Sequence, residues 1–206
     1  MRTAEPRLLR DIVWSAIGIC GAFGAVRAME AFRPEVISDD VSAPENDVSI
    51  RELGRAYTLS ACSMAAGPFA TSARLPAVCG PLGLGVEIAA VGLRVWSMRT
   101  LRGHYARGLR VIEGQPVIRS GPYRFVRHPG YLSAFLAWLG AALSTRNAVP
   151  VALALVAVGT AYQHRMDAED ALLIRDLRGY GEYAATTGRM VPSLNKIHTA
   201  SMRHEV

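Results

Sequence analysis

The sequence predicts an all-α fold, a polytopic membrane protein with about five transmembrane helices and a cytoplasmic C-terminal region. Three observations predict it. Half of the residues are hydrophobic and the mean hydropathy is positive, +0.18. The apolar residues gather into five runs, separated by polar or arginine-rich stretches. The last two runs, Tyr131 to Leu143 and Ala148 to Tyr162, are joined only by Ser144-Thr145-Arg146-Asn147, which reads as a helical hairpin that crosses and returns.

The first run, Ile12 to Val26, is rich in Gly and Ala. It is short against the roughly 20 residues of a span, so a helix reaching back to Leu8 is required. Gly18, Gly21 and Gly24 give it a small-residue face suited to close helix packing. Arg2, Arg7 and Arg10 precede it as in a signal peptide, yet Arg27 and Glu30 follow without a small-residue cleavage site, so an uncleaved segment is expected. Residues 27–55 form a polar connection with seven acidic residues, Pro34 and Pro44, expected to be disordered in part from Ser38 to Asp47.

Ala56 to Ala70 is the second run, ended by Gly67-Pro68, and Leu75 to Met98 is the third. Glu87 sits in the middle of the third and needs a partner or a cavity. Arg94 lies about two turns on, on the same face, where it can pair with Glu87 or snorkel to the helix end. Arg99 to His128 then carries seven arginines against Glu113. The positive-inside rule places this loop in the cytoplasm, with the C-terminus inside and the N-terminus outside, although the three N-terminal arginines argue against the last step. Within the loop, Val111 to Ile118 reads as a short strand pair around Glu113-Gly114. After the hairpin, His164 to Gly188 reads as one charged helix with Leu172, Leu173 and Leu177 on an apolar face.

The net charge is +6, and Lys196 is the only lysine among 23 basic residues. No stretch interleaves basic and aromatic residues on a polar surface, which argues against nucleic acid as a partner. Cys20, Cys62 and Cys79 all lie in apolar runs without metal-ligand spacing and read as small buried hydrophobes, and no metal site is expected.

The chain is organised around Gly121 to Tyr131, GPYRFVRHPGY. Pro122 and Pro129 forbid a continuous helix through it and push Gly121 and His128 toward extended geometry. Tyr123, Arg124, Arg127, His128 and Tyr131 therefore project from a kink that leads into an apolar segment. Headgroup anchoring explains Tyr123 and Arg124. It does not explain His128, which suits a polar cavity or a ligand.

This stretch, its apolar hairpin, HRMDAEDALL at 164–173 and LRGYGEYAATTGRMVP at 177–192 together resemble the isoprenylcysteine carboxyl methyltransferase family. That family is part of a wider group of membrane methyltransferases that includes phospholipid methyltransferases. The likeness runs from about Val91 to Pro192 and takes in Arg94, Trp96 and the basic turn at 99–105. The chain departs from the family at Gly130, where Met is usual, and at Glu169-Asp170, where paired glutamates are usual. The division it implies is N-terminal helices over 1–90, a methyltransferase core over 91–192 and a tail over 193–206.

The resemblance implies methyl transfer from S-adenosylmethionine to a lipophilic acceptor, in a pocket at the cytoplasmic face of an integral membrane protein. Glu169 and Asp170 would accept from the cationic part of the donor; Arg127, His128 and backbone N–H groups near Gly121 would hold its carboxylate. Val117, Ile118, Tyr123 and Tyr131 complete the expected cofactor contacts. A carboxylate acceptor is already ionised and needs alignment rather than a base, a role suited to the fork of Arg165. For a hydroxyl or amine acceptor His128 is the base. A solvated helix face pairing Glu169 and Asp170 with Arg165 and Arg175 is the plain alternative, and Tyr180 and Tyr183 read as packing residues or interfacial anchors. Two other functions keep the same scaffold: a membrane reductase of the steroid-reductase type, told apart by a nicotinamide cofactor, and a non-enzymatic membrane protein. The acceptor is expected to arrive laterally from the bilayer, past the small residues Ala134, Ala137, Gly140 and Ala141; tight helix packing is their other reading.

Overall fold

The structure, a computed structural model, describes residues 5–31, 48–69, 73–101 and 116–193. Its regular elements are helical: α1 (Glu5–Ala31), α2 (Val48–Ala66), α3 (Cys79–Leu101), α4 (Pro129–Ser144), α5 (Ala148–Leu153), α6 (Gly159–Asp176) and α7 (Tyr180–Thr186). Short 3₁₀ turns stand at Gly67–Phe69 and Gly121–Arg124, and a π turn at Ala154–Val158 joins α5 to α6 in one continuous rod. The all-α class is thus as the sequence predicts.

The boundaries follow local chemistry. Pro129 opens α4, where its missing N–H costs nothing, and His128 stands just outside with φ −120°. Asn147 caps α5 by accepting from the Val149 N–H at 2.9 Å. Two boundaries differ from the expectation. Residues 48–55, read as loop, are the first turns of α2. The charged helix of 164–188 is broken after Asp176, because Gly179 adopts φ +83°, a conformation that suits glycine, and α7 restarts from it. The polar segment 38–47 and most of the strand pair at 111–118 lie outside the described residues; residues 116–119 have no regular structure.

The long helices run alternately between two ends. At one end Asp11 of α1 pairs with Arg74 at 2.9 Å and Arg146 at 3.3 Å. Asn147 donates there to the Gly67 carbonyl at 3.1 Å, and Trp14 of α1 covers Gly80 at the start of α3. At the other end lie the C-terminus of α3, the N-termini of α2 and α4, and the charged half of α6. The hairpin of α4 with α5–α6 therefore brings residues 128 and 170 back to one end.

Between the ends α1, α3 and α4 pack backbone to backbone. A Cβ placed on Gly140 would lie 2.7 Å from the Gly83 carbonyl oxygen and 2.9 Å from Glu87 Cγ. One placed on Gly18 would lie 2.6 Å from the Ala141 carbonyl oxygen. Ala137 and Ala141 are buried in the same crossing. The small residues expected to leave a lateral gap are thus the ones that close the bundle. Glu87 fills the space left by Gly21, with Ser144 Oγ at 3.5 Å from its Oε1 and no hydrogen-bond partner at Oε2. Arg94 does not turn back to Glu87; it donates to the Gly130 carbonyl at 3.0 Å.

The outer faces are apolar. Leu9, Val13, Phe23, Leu82, Ile88, Leu155 and Val156 are all exposed, and Cys20 and Cys62, expected to be buried, lie on these exposed faces too. Among the described residues, two segments are long and apolar enough to cross a membrane, Arg7–Ala25 and Cys79–Leu101, and only 28% and 22% of their residues are buried within the bundle. A core helix of a soluble protein is mostly buried. The count is below the five crossings expected because Arg51, Glu52 and Arg55 dilute α2, and α4, at 16 residues, falls short by itself.

Candidate functional site

The site is built where three segments meet: the kink before α4, the charged half of α6, and the stretch around α7. A strap ties the first to the last. The Arg127 N–H donates to the Gly188 carbonyl at 2.9 Å and the His128 N–H to the Arg189 carbonyl at 3.0 Å. Both backbone donors are exposed by the proline kink, which removes them from any helix ladder.

Asp170 is the hub. Its Oδ1 accepts from His128 Nε2 at 2.8 Å, Tyr180 Oη at 2.8 Å and Arg127 Nε at 3.2 Å. Its Oδ2 accepts from Arg127 Nη2 at 3.0 Å and Arg189 Nε at 2.9 Å. Arg127 Nη1 also donates to the carbonyls of Ala184 and Thr187, and Arg189 Nη1 to Asp167 at 2.6 Å. Burial would raise the pKa of Asp170, but the hydrogen bonds from His128 and Arg127 outweigh it and hold the carboxyl well below the usual range. Tyr180 is pushed the other way, by burial and then by donating to that carboxylate. An ionised Asp170 can only accept, so His128 carries a proton on Nε2, whether the ring is neutral or charged.

These contacts redistribute the expected roles. Arg127 and Asp170, both given to the cofactor by sequence reasoning, are engaged with one another, and the carboxylate of Asp170 is saturated by its own chain. His128, 4% exposed, is likewise fixed by Asp170. Tyr180, read as a packing residue, is buried with Leu177 and Tyr183 and also donates to Asp170, and Arg189 is the residue that sequence reasoning missed. Both stand in the segment that carries the resemblance, beyond the break at Gly179, so the directions of their side chains could not be read from the helical spacing of α6.

Glu169 faces another way. It stands on α6 one turn after Arg165, while the Tyr131 ring, at the start of α4, lies 5.5 Å from that of His128. Arg165 is 6% exposed and donates to Ser49 of α2 at 2.8 Å. The lack of a side chain at Gly130 admits Arg94, since a Cβ there would lie 2.8 Å from Arg94 Nη1. A carboxylate, two guanidiniums and a phenol thus gather beside the His128–Asp170 frame. This set of groups suits a ligand bearing a cation next to an anion.

The remaining expected residues lie to one side. Gly121 has φ +55°, and a Cβ on it would meet Thr100 Oγ1 at 2.5 Å, so the kink sits directly on the end of α3. Tyr123 offers its carbonyl to Tyr183 Oη at 2.6 Å. Val117 packs on the cluster of Leu177, Tyr180 and Tyr183, and Ile118 is half-buried beside it in sequence. Among the described residues no three His, Cys, Asp or Glu side chains group as they would around a metal ion.

Residues 83–175 match the model of the isoprenylcysteine carboxyl methyltransferase (ICMT) family, beginning and ending somewhat before the core expected at 91–192. Two curated proteins are similar. The nickel-cobalt-cadmium resistance protein NccN of Alcaligenes xylosoxydans xylosoxydans is 29% identical over 118 residues, covering 57% of this chain and 51% of the relative. The cobalt-zinc-cadmium resistance protein CzcN of Cupriavidus metallidurans is 30% identical over 112 residues, covering 54% and 48%. The chain spans about half the length of these relatives. Its apolar helices and this family together point to a membrane protein.

Proposed function

We propose that this chain, matched by the ICMT family over residues 83–175, is a membrane methyltransferase that uses S-adenosylmethionine and a lipophilic acceptor, in first place a carboxylate. The observation that carries the reading is the buried Arg165 guanidinium, one helical turn before Glu169 on α6 and beside the His128–Asp170 frame. Bound there, S-adenosylmethionine supplies an activated methyl group. Glu169 and Tyr131 are assigned to its cationic part, and Arg165 aligns the acceptor's carboxylate. Asp170, Arg127, Tyr180 and Arg189 are assigned to the frame and not to the cofactor. If the acceptor is a hydroxyl or amine, a neutral His128, its Nε2 proton held by Asp170, takes the proton on Nδ1.

The reading includes five membrane crossings. α5 and α6 form one rod, so the short arms of the hairpin are lengthened by their flanks, and the alternation of helix ends supports it. The arginine-rich sequence of 99–128 supports, by the positive-inside rule, a site facing the cytoplasm. The relatives' names concern metal resistance. In this reading that trait reaches the chain through the membrane, because turning an anionic lipid headgroup into a neutral ester weakens the surface field that attracts divalent cations.

The test is incubation of the membrane-embedded protein with methyl-labelled donor, followed by base treatment of the lipid extract. Methyl esters release volatile methanol; ethers and amines do not. Glu169→Ala is expected to weaken donor binding about ten-fold or more, the loss of a charge-assisted contact worth roughly 1.5–3 kcal/mol, as read by calorimetry in detergent. Donor binding unchanged by that substitution sinks the assignment, and a nicotinamide cofactor bound in its place sinks the reading.

A further inference from the structure

Glu87 is the one buried glutamate among the described residues, 3% exposed in the middle of α3. Its helix is one of the two segments long and apolar enough to cross a membrane. A polar side chain there needs partners within the protein, because no water supplies them. Glu87 has almost none. Its Oε2 has no partner, and Oε1 has Ser144 Oγ at 3.5 Å, the outer limit of a hydrogen bond. Backbone walls the carboxyl in. A Cβ on Gly21 of α1 would overlap Oε2, and one on Gly140 of α4 would lie 2.9 Å from Cγ.

No cation balances it. Arg94, seven residues on along α3, carries its guanidinium to the Gly130 carbonyl at 3.0 Å. Gly130 is ten residues from Gly140, roughly 15 Å along α4. α4 has no charged residue, and its one titratable group, Tyr131, stands at the site end beside His128. On α1 the charged residues that flank Gly21 are Asp11, engaged by Arg74 and Arg146 at the far end, and Arg27, which is exposed. The thiol of Cys20, next to Gly21, is exposed too. Ser144 has a single hydroxyl proton, and its nearest acceptor is the Gly140 carbonyl of its own helix, at 3.1 Å. Its lone pairs can then accept. A carboxylic acid can donate to them, whereas a carboxylate can only accept. The arrangement suits Glu87 O–H, Ser144 O–H and the Gly140 carbonyl in series.

We propose that Glu87 is a proton-binding site within the membrane, and that its bound proton lets α1, α3 and α4 close on one another. The proposal does not rest on the methyltransferase reading. An ionised Glu87 has no donor at Oε2, so the crossing must open to admit water. α3 also carries Thr100, on which the Gly121 kink rests, and Arg94, which holds the Gly130 carbonyl. Release of the proton is therefore felt at the site end, through the contacts of α3 with the start of α4.

Infrared spectra of the full chain in detergent and heavy water, at about pH 7, read the proton directly, since ordinary carboxyls are ionised there. With an isotope label on the glutamate carboxyl carbon, wild type is expected to show a carboxylic-acid C=O band that shifts with the label. The band should be lost in Glu87→Gln. Glutamine has the shape of the protonated acid and cannot ionise, so melting supplies a second reading. A group that keeps its proton in the folded protein adds stability at low pH that is lost as the pH rises. Wild type and Glu87→Gln are expected to melt together at about pH 5, and the variant about 5 °C higher at about pH 9. Absence of a label-sensitive acid band in wild type overturns the proposal, as does a gap in Tm that does not change with pH. So does a variant that melts below wild type throughout, the mark of a carboxylate that is charged and held by a donor. If Glu87→Gln does not fold, the band is assigned by its survival in Glu169→Ala and Glu52→Ala, the two half-buried glutamates among the described residues. Its loss in either overturns the proposal.

Discussion

Replacing Asp170 by alanine is expected to be the most damaging single substitution at the site end of the bundle. The side chain is 6% exposed and neutralises Arg127 and Arg189 while it orients His128 and Tyr180. Its loss leaves charged donors without their acceptor, and removing one partner of a buried pair costs roughly 3–5 kcal/mol. The strap of 187–189 is then held mainly by its backbone hydrogen bonds. A large fall in Tm in detergent is expected, together with faster proteolysis after α6. Asp170→Asn keeps the shape, loses the charge, and should fall between the two.

The same contacts make a prediction about pH. The pKa of Asp170 is lowered in the folded protein from an ordinary value of 3.8. A depressed carboxylate contributes stability that is fully present above its unfolded pKa and is lost as pH falls through the folded one. The contribution is therefore intact at neutral pH and declines below about pH 4. Melts of wild type and Asp170→Asn between pH 7 and pH 3 check this. The gap in Tm should be constant in the upper part of the range and narrow in the lower part. A gap that stays constant throughout would show that the depressed carboxylate is not what the frame depends on.

The second large effect belongs to the helix crossing. Gly140→Leu is expected to prevent α3 and α4 from closing, because the atoms in the way are the Gly83 carbonyl and the base of Glu87 rather than the tip of a flexible side chain. Overpacking a core commonly costs about 1–3 kcal/mol, and a backbone obstacle places this case at the upper end or beyond. Even alanine at 83 or 140 should lower Tm measurably. Gly85 and Gly92 on the same α3 are the controls, since nothing lies within 4 Å of a Cβ added at either. Alanine there should be neutral or raise stability by up to about 1 kcal/mol through the lower entropy of the unfolded chain. This contrast separates close packing from lateral access. A gate at Gly140 would lose turnover with the fold intact, whereas a packed crossing loses the fold first.

The helical class and the hairpin were legible in the sequence because they follow from local rules. Apolar runs of helical length, a proline that must begin a helix, and a four-residue turn capped by Asn147 each act within a few residues. That hairpin also requires RHPGY and HRMDAED to meet, since antiparallel arms return to the same end. What the sequence could not assign was the division of labour between Glu169 and Asp170. Neighbours on a helix point about 100° apart, and the rotation of α6 is set by what packs against it. Packing turned Asp170 inward to Arg127, His128, Tyr180 and Arg189, and left Glu169 half-buried on the neighbouring face. It likewise sent Arg94 to Gly130 instead of Glu87, and brought Ser49 from a helix that carries none of the motif. These are contacts between residues far apart in sequence, and only the closed bundle brings them within reach of one another.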